Sequence, residues 1–318
     1  MKNYIAAIFI FFPFLTQAQT GEDSLHTNVA NEKQTYISGY GEAMVSYDSR
    51  YRTANANLTR AVVFVGHKFS KNISFLSETE LADARVEGGK AGGEIALEQA
   101  YLRFQLNRKI YLQAGLFIPR IGIINENHLP TTFHGNQRPF TETFLIPSTW
   151  RELGVALYGS SDVMTGLNYS IAVVNGLDAS GFSNGTGIRG GRFEGSNATA
   201  SNIALTGSVQ YVKQNFTFQL SAYYGGSAGL TKREADSLQL NSGMFGTPVG
   251  LGEVNVQYRK NGLTAKVLFA AISIPEADKI NRAYANNTAE LSIGGYAEVM
   301  KILILTAVFQ RMALKTIF

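Results

Sequence analysis

Polar and apolar residues alternate with a period of two along most of the chain. In Tyr36–Tyr47, Ser38, Glu42 and Ser46 share one face, while Ile37, Ala43, Val45 and Tyr47 share the other. Asn202, Thr206, Ser208 and Gln210 oppose Ile203, Leu205, Val209 and Tyr211. Thr217, Gln219, Ser221 and Tyr223 oppose Phe216, Phe218, Leu220 and Ala222. Glu253, Asn255, Gln257 and Arg259 are set against Val254, Val256 and Tyr258, and Thr288, Glu290, Ser292 and Glu298 against Ala289, Leu291, Ile293, Ala297 and Val299. Successive side chains of a strand point to opposite sides of its sheet, so this period predicts strands with one wet face and one apolar face. We expect about twelve, near 35–48, 57–69, 72–83, 95–106, 109–117, 152–160, 164–175, 198–212, 215–225, 250–260, 262–272 and 287–299. Around Glu94–Glu98 the charges fall on the parity of Leu102 and Phe104. That predicts a β-bulge, or a strand end lying beyond the apolar zone.

A soluble sandwich would show the same alternation. Two features favour a barrel. Many of the expected strands reach ten residues or more, against roughly 5–6 in soluble proteins. Tight turns at Phe69–Asn72, Leu106–Lys109, Val212–Asn215 and Arg259–Gly262 alternate with long connections such as Asn175–Asn197 and Gly225–Pro248. Short turns at one end and long loops at the other are the layout of outer-membrane barrels. Lipid offers backbone groups no partner, so a spanning sheet must close on itself. The reading is therefore all-β: a transmembrane antiparallel outer-membrane β-barrel over 35–299, apolar face to lipid and polar face to the lumen. Glu42, Glu80, Arg103, Glu253, Arg259, Lys266 and Glu290 are the charges expected on the lumenal face, and they are mixed in sign.

The N-terminus agrees with that compartment. Lys2, the apolar run Tyr4–Leu15 and the polar, small-residue stretch Thr16–Gln19 form a secretory signal peptide over 1–19, cut near Ala18 or Gln19. The run is too short to cross about 30 Å of hydrocarbon as a helix. Residues 20–34 are polar, lack alternation and read as a periplasmic leader. The chain has no cysteine, so no disulfide staples it. Its net charge of +4 is mild and scattered, which points away from nucleic acid.

The alternation stops between Phe117 and Arg151. Residues 118–150 carry Pro119, Pro130, Pro139 and Pro147, four of the chain's seven prolines, and proline is kept out of central strands. Ile121, Ile123, Ile124, Leu129, Phe133, Phe140, Phe144, Leu145, Ile146 and Trp150 in the same stretch need burial. We expect this loop to fold into the lumen, with Arg120, Arg138, Glu142, Arg151 and Glu152 at a narrowing where rings of charge set selectivity. Gly190-Gly191 is flanked by Arg189 and Arg192. No strand–Gly-loop–helix context makes it a phosphate cradle, but its arginines add a field that attracts anions. Glu126, His128, His134 and Glu142 match no metal-ligand spacing, so no metal or cofactor is assigned. Ser148 lacks a nucleophile motif, so the reading is not that of an enzyme.

Several segments together resemble the phosphate-selective porin O and P family, in the branch found in Bacteroidetes-type bacteria. They are Gly115–Asn125 (GLFIPRIGIIN), Arg138-Pro139, Ile146–Glu152 (IPSTWRE), Gly187–Arg192 (GIRGGR) and Gly294–Glu298 (GGYAE). The resemblance implies a homotrimeric porin in the outer membrane of a Gram-negative bacterium, inserted by the barrel assembly machinery. It also implies an inward third loop and passive diffusion of small hydrophilic solutes, with preference for anions such as phosphate through lumenal Arg and Lys. It implies about sixteen strands, where the alternation here gives about twelve. Residues 300–318 are atypical: Ile302–Leu305 is apolar on both faces. Either Phe318 is the C-terminal aromatic signal read by the assembly machinery, or the tail is a truncated or out-of-frame end. A barrel plugged by its own loop, serving as a surface binding or structural protein, is the alternative function.

Overall fold

A computed structural model describes residues 34–83, 93–228 and 232–301. The expected signal peptide 1–19, all of the expected leader except Gln34, and the tail from residue 302 lie outside the described residues.

Twelve strands form one sheet in chain order. They are β1 (Gln34–Asp48), β2 (Thr53–Lys68), β3 (Ile73–Ala82), β4 (Glu94–Gln105), β5 (Ile110–Phe117), β6 (Glu152–Ser160), β7 (Leu167–Asn175), β8 (Ile203–Lys213), β9 (Phe216–Gly225), β10 (Val249–Lys260), β11 (Leu263–Ser273) and β12 (Leu291–Lys301). Every neighbouring pair is antiparallel. Among the described residues, no ladder joins β12 to β1. No described helix is long and apolar enough to cross a membrane.

Each expected strand is present, and the differences lie at the ends. β8 begins at Ile203 rather than 198, because Asn202 turns its side-chain amide to the Leu177 carbonyl at 3.1 Å. β12 begins at Leu291 rather than 287, because Thr288 is tied to Asn281 by two hydrogen bonds. β2 starts earlier, at Thr53, pairing with Asp48 across a tight turn. Two short α-helices fall in loops where the strand pattern predicts none: α1 (Lys232–Ser237) and α2 (Ala277–Tyr284).

The alternation is realised as two chemically opposite faces. Ile37, Val63, Leu97, Ile171, Leu220, Val267, Phe269, Ile293 and Val299 are all exposed on one side. The other side of the sheet buries Gln113, Thr206, Ser208, Gln219, Ser221, Glu253, Asn255 and Lys266. A soluble sheet would hide the first set and wet the second. The inverted arrangement, an apolar belt around a polar interior, is that of a membrane barrel wall.

The expected irregularity near Glu98 is a bulge. Glu78 pairs with Gln99 and Thr79 with Leu97, leaving Glu98 as the extra residue of β4. The bulge resets the parity, so Ile95 and Leu97 before it and Leu102 after it all stay on the apolar face. Glu98, opposite in parity to Ile95 and Leu97, lies in the interior, where it is buried. A second register shift lies between Glu42 and Ala43 of β1.

Candidate functional site

The segment from Ile118 to Arg151 joins β5 to β6 and lies against the polar face of the sheet. His128 meets Glu78 of β3 and Glu98 of β4. Arg120 lies over the Tyr158 ring of β6. Trp150 packs on Tyr223 of β9, with ring centroids 4.7 Å apart. The Gly122 carbonyl accepts from Gln219 of β9 at 2.9 Å, and its N–H donates to Glu253 of β10. The Thr132 carbonyl accepts from Lys266 of β11 at 2.7 Å. Tyr296 of β12 donates to Glu142, and His134 faces Glu298 of β12 at 3.2 Å. One segment that touches the same face of strands from β3 to β12 requires the sheet to curl around it.

Contrary to expectation, Phe140 and Phe144 are exposed and stack on each other instead of joining the interior. Two forces hold the rest of the segment there. Ile121, Ile124, Ile146 and Trp150 are fully buried and join one apolar cluster with Phe117, Leu177, Phe182 and Ile188. Each such side chain contributes about 1.5–3 kcal/mol. Glu142, also fully buried, accepts from the Ile123 and Ile124 N–H groups at 2.6 and 2.7 Å, and from Tyr296. Burial pushes this carboxyl above its ordinary value. The three hydrogen bonds pull it back, and the nearby Glu253 adds to the rise. Gly122 makes the arrangement possible: its φ is +75°, and a Cβ there would lie 2.5 Å from Glu142 Oε1.

The expected constriction residues fall into separate groups. Arg151, Arg189 and Arg192 gather where the segment meets the loop between β7 and β8. Arg189 donates to the Thr143 and Ser148 carbonyls at 3.1 and 2.9 Å, and Arg192 to the Pro147 and Thr149 carbonyls at 2.8 Å each. Glu194 bridges Arg151 and Arg192 at 2.6 Å to each. Burial lowers the Arg192 guanidinium to about 10, partly offset by Glu194. These arginines pin one loop to another. Glu152 is buried and accepts from the Trp150 indole at 2.5 Å. Arg138 donates to Thr149 at 3.2 Å and lies over the Phe133 ring. Its pKa is lowered by burial and by the nearby Arg60. Arg120 forms a two-pronged pair with Glu126, at 2.7 and 3.0 Å.

The expected lumenal charges are mostly engaged as well. Glu42 pairs with Arg60 at 2.8 Å, and Arg60 reaches Glu80 at 3.0 Å. Arg103 stacks over Tyr111 at 4.4 Å. Glu253 accepts from Ser221, Asn255 and Gly122. Glu290 precedes β12 and is exposed.

Open space lies at the short-turn end of the sheet. A cavity of about 810 Å³ is bounded by Lys68, Lys71, Arg108, Lys109 and Arg120, together with Tyr111, Tyr158 and Gln210. No carboxylate is among its described lining residues. Asp162 pairs with Lys109 and Glu126 with Arg120 at its edge. A second cavity of about 430 Å³ shares Gln210 and is bounded by Gln257, Arg259, Thr264 and Lys266. Arg259, Lys266 and Arg120 were singled out from the sequence. Lys71, Arg108 and Lys109 were not, although their placement in tight turns between alternating strands was visible. The grouping of Glu78, Glu98 and His128 was also missed, because its members come from two strands and a loop.

No family model matches the chain. It is 29% identical over 265 residues to an uncharacterized protein of Aquifex aeolicus (strain VF5), an alignment covering 82% of this chain and 58% of that protein. The chain thus spans little more than half the length of that curated relative. Among solved structures it is similar to the outer membrane channel DcaP of Acinetobacter baumannii, with a TM-score of 0.47, 10% identity, and coverage of 78% of this chain and 66% of that one. It is also similar to an anion-selective porin from Comamonas acidovorans, with a TM-score of 0.45, 12% identity, and coverage of 76% and 68%.

Proposed function

We propose that the chain is an outer-membrane porin of a Gram-negative bacterium, through which small hydrophilic solutes diffuse passively, with preference for anions including phosphate. The observation that carries the reading is the cavity at the short-turn end. Lys68, Lys71, Arg108, Lys109 and Arg120 face one open space of about 810 Å³ with no carboxylate in its described lining. Like-signed charge focused by low-dielectric walls concentrates counter-ions and speeds their entry. Segment 118–151 serves as the constriction in this reading, with Arg120 at its edge. The resemblance to phosphate-selective porins supports both points and extends the proposal to a homotrimer inserted by the barrel assembly machinery.

One observation favours the alternative of a self-plugged binding or structural barrel. The interior beneath the long loops is dry: Ile121, Ile146, Trp150, Leu177 and Ala179 have no exposed surface.

Recording from the refolded chain in a planar bilayer under a salt gradient separates the two readings. A porin gives discrete conductance steps with an anion-directed reversal potential, reduced by added phosphate. A folded, heat-modifiable barrel that gives no steps sinks the porin reading.

A further inference from the structure

Glu78, Glu98 and His128 form a buried cluster that the porin reading leaves without a role. Their ligand atoms all lie within 4.8 Å of one another. His128 Nε2 is 3.1 Å from Glu78 Oε1 and 3.2 Å from Glu98 Oε2. All three side chains are at least nine-tenths buried. Glu98 Oε2 has no hydrogen-bond donor apart from the His128 imidazole 3.2 Å away. The other atoms are held in place: Gln99 Nε2 donates to Glu78 Oε2 at 2.8 Å, and His128 Nδ1 lies 3.3 Å from the Asn125 carbonyl.

We propose that Glu78, Glu98 and His128 bind a divalent transition-metal ion of the zinc type. The spacing fits. Zinc bonds of about 2.0–2.2 Å to imidazole and carboxylate, set tetrahedrally, leave ligand atoms about 3.3–3.5 Å apart, a few tenths of an ångström from the two distances given above. The charges fit: two carboxylates neutralise one dication and a neutral imidazole completes the set, leaving a fourth position for water. The outer contact fits as well. An imidazole whose Nδ1–H points at a backbone carbonyl presents Nε2 to a metal, which is the usual support of a ligating histidine. β4 supplies the third ligand at its bulge: Glu98 has the opposite parity to the exposed Ile95 and Leu97, so its carboxylate lies on the interior face. The ion joins β3, β4 and segment 118–151 at one point, so its role is to fasten that segment to the wall.

The competing occupant is a proton. The two carboxylates also favour an imidazolium bridging both, which needs no metal. The test uses the untagged chain, refolded with EDTA, exposed to zinc chloride and freed of excess by gel filtration. Elemental analysis is expected to find about one zinc per chain. Glu98→Gln is expected to lose it, while His134→Gln, at the separate contact with Glu298, retains it. Folding of each variant is read from heat-modified electrophoretic mobility. If Glu98→Gln does not fold, X-ray absorption on the zinc-loaded wild-type chain decides, with a shell of N and O at about 2.0–2.2 Å including imidazole expected. A folded wild-type chain that retains no zinc, a Glu98→Gln chain that retains it fully, or a zinc shell without imidazole overturns the proposal.

Discussion

The two ends of the interior are built on the same wall and differ completely. On β10, Leu251 and Gln257 point the same way, six residues apart. Leu251 belongs to the dry cluster beneath the long loops, while Gln257 borders a cavity. On β9, Tyr223 is covered by Trp150, while Thr217 borders the same cavity as Gln257. Strand alternation decides only which side chains face inward. Whether they meet water or protein is decided by what folds in from the loops, and long loops leave from one end only.

The comparison breaks most directly at Trp150. Trp150→Ala removes the largest side chain of the dry half and leaves the Glu152 carboxylate without its indole donor. Cavity formation of this kind costs about 3–5 kcal/mol. We expect the temperature of heat-modified mobility to fall markedly and segment 118–151 to become cleavable by protease in the folded barrel. Next is Gly122→Ala, which forces a side chain onto Glu142 at a positive φ. Strain of this kind costs about 1–3 kcal/mol, and we expect the same protease to cut the segment more readily. Gly185→Ala, where an added Cβ meets nothing within 4 Å, is the matched control and is expected to leave cleavage unchanged. The smallest effect on stability, within about 0.5 kcal/mol, is expected for the double change Lys71→Glu and Arg108→Glu at the wet end. Its signature is electrical: the reversal potential under a salt gradient moves toward cations while the melting behaviour stays put.

Much of the wall was legible. A period of two survives burial because lipid and lumen impose opposite demands on adjacent residues, so β9 and β10 can be read almost residue by residue. The break of parity at Glu94–Glu98 was open to a bulge or a strand end, and it is a bulge. The partners of the loop were not legible. Arg189 and Arg192 are visible as charges, but the carbonyls of Thr143, Pro147, Ser148 and Thr149 that take their donors have no signature in the sequence. His128 lies 50 residues from Glu78, and only the curl of the sheet brings them together. α2 was missed by a reading tuned to strands, although Ala277, Ile280 and Tyr284 form a short stripe at helical spacing.

The division of the interior can be tested with single cysteines, because the native chain has none. Gln257→Cys and Leu251→Cys share a strand and a face. In detergent-solubilised, folded protein, the rate of reaction with an anionic maleimide is measured for each. Gln257→Cys is expected to react at least about tenfold faster, since a buried thiol is inert and one beside cationic groups is activated. Equal rates would mean that the interior is open throughout or closed throughout, and would contradict a channel entered from its short-turn end and narrowed by segment 118–151.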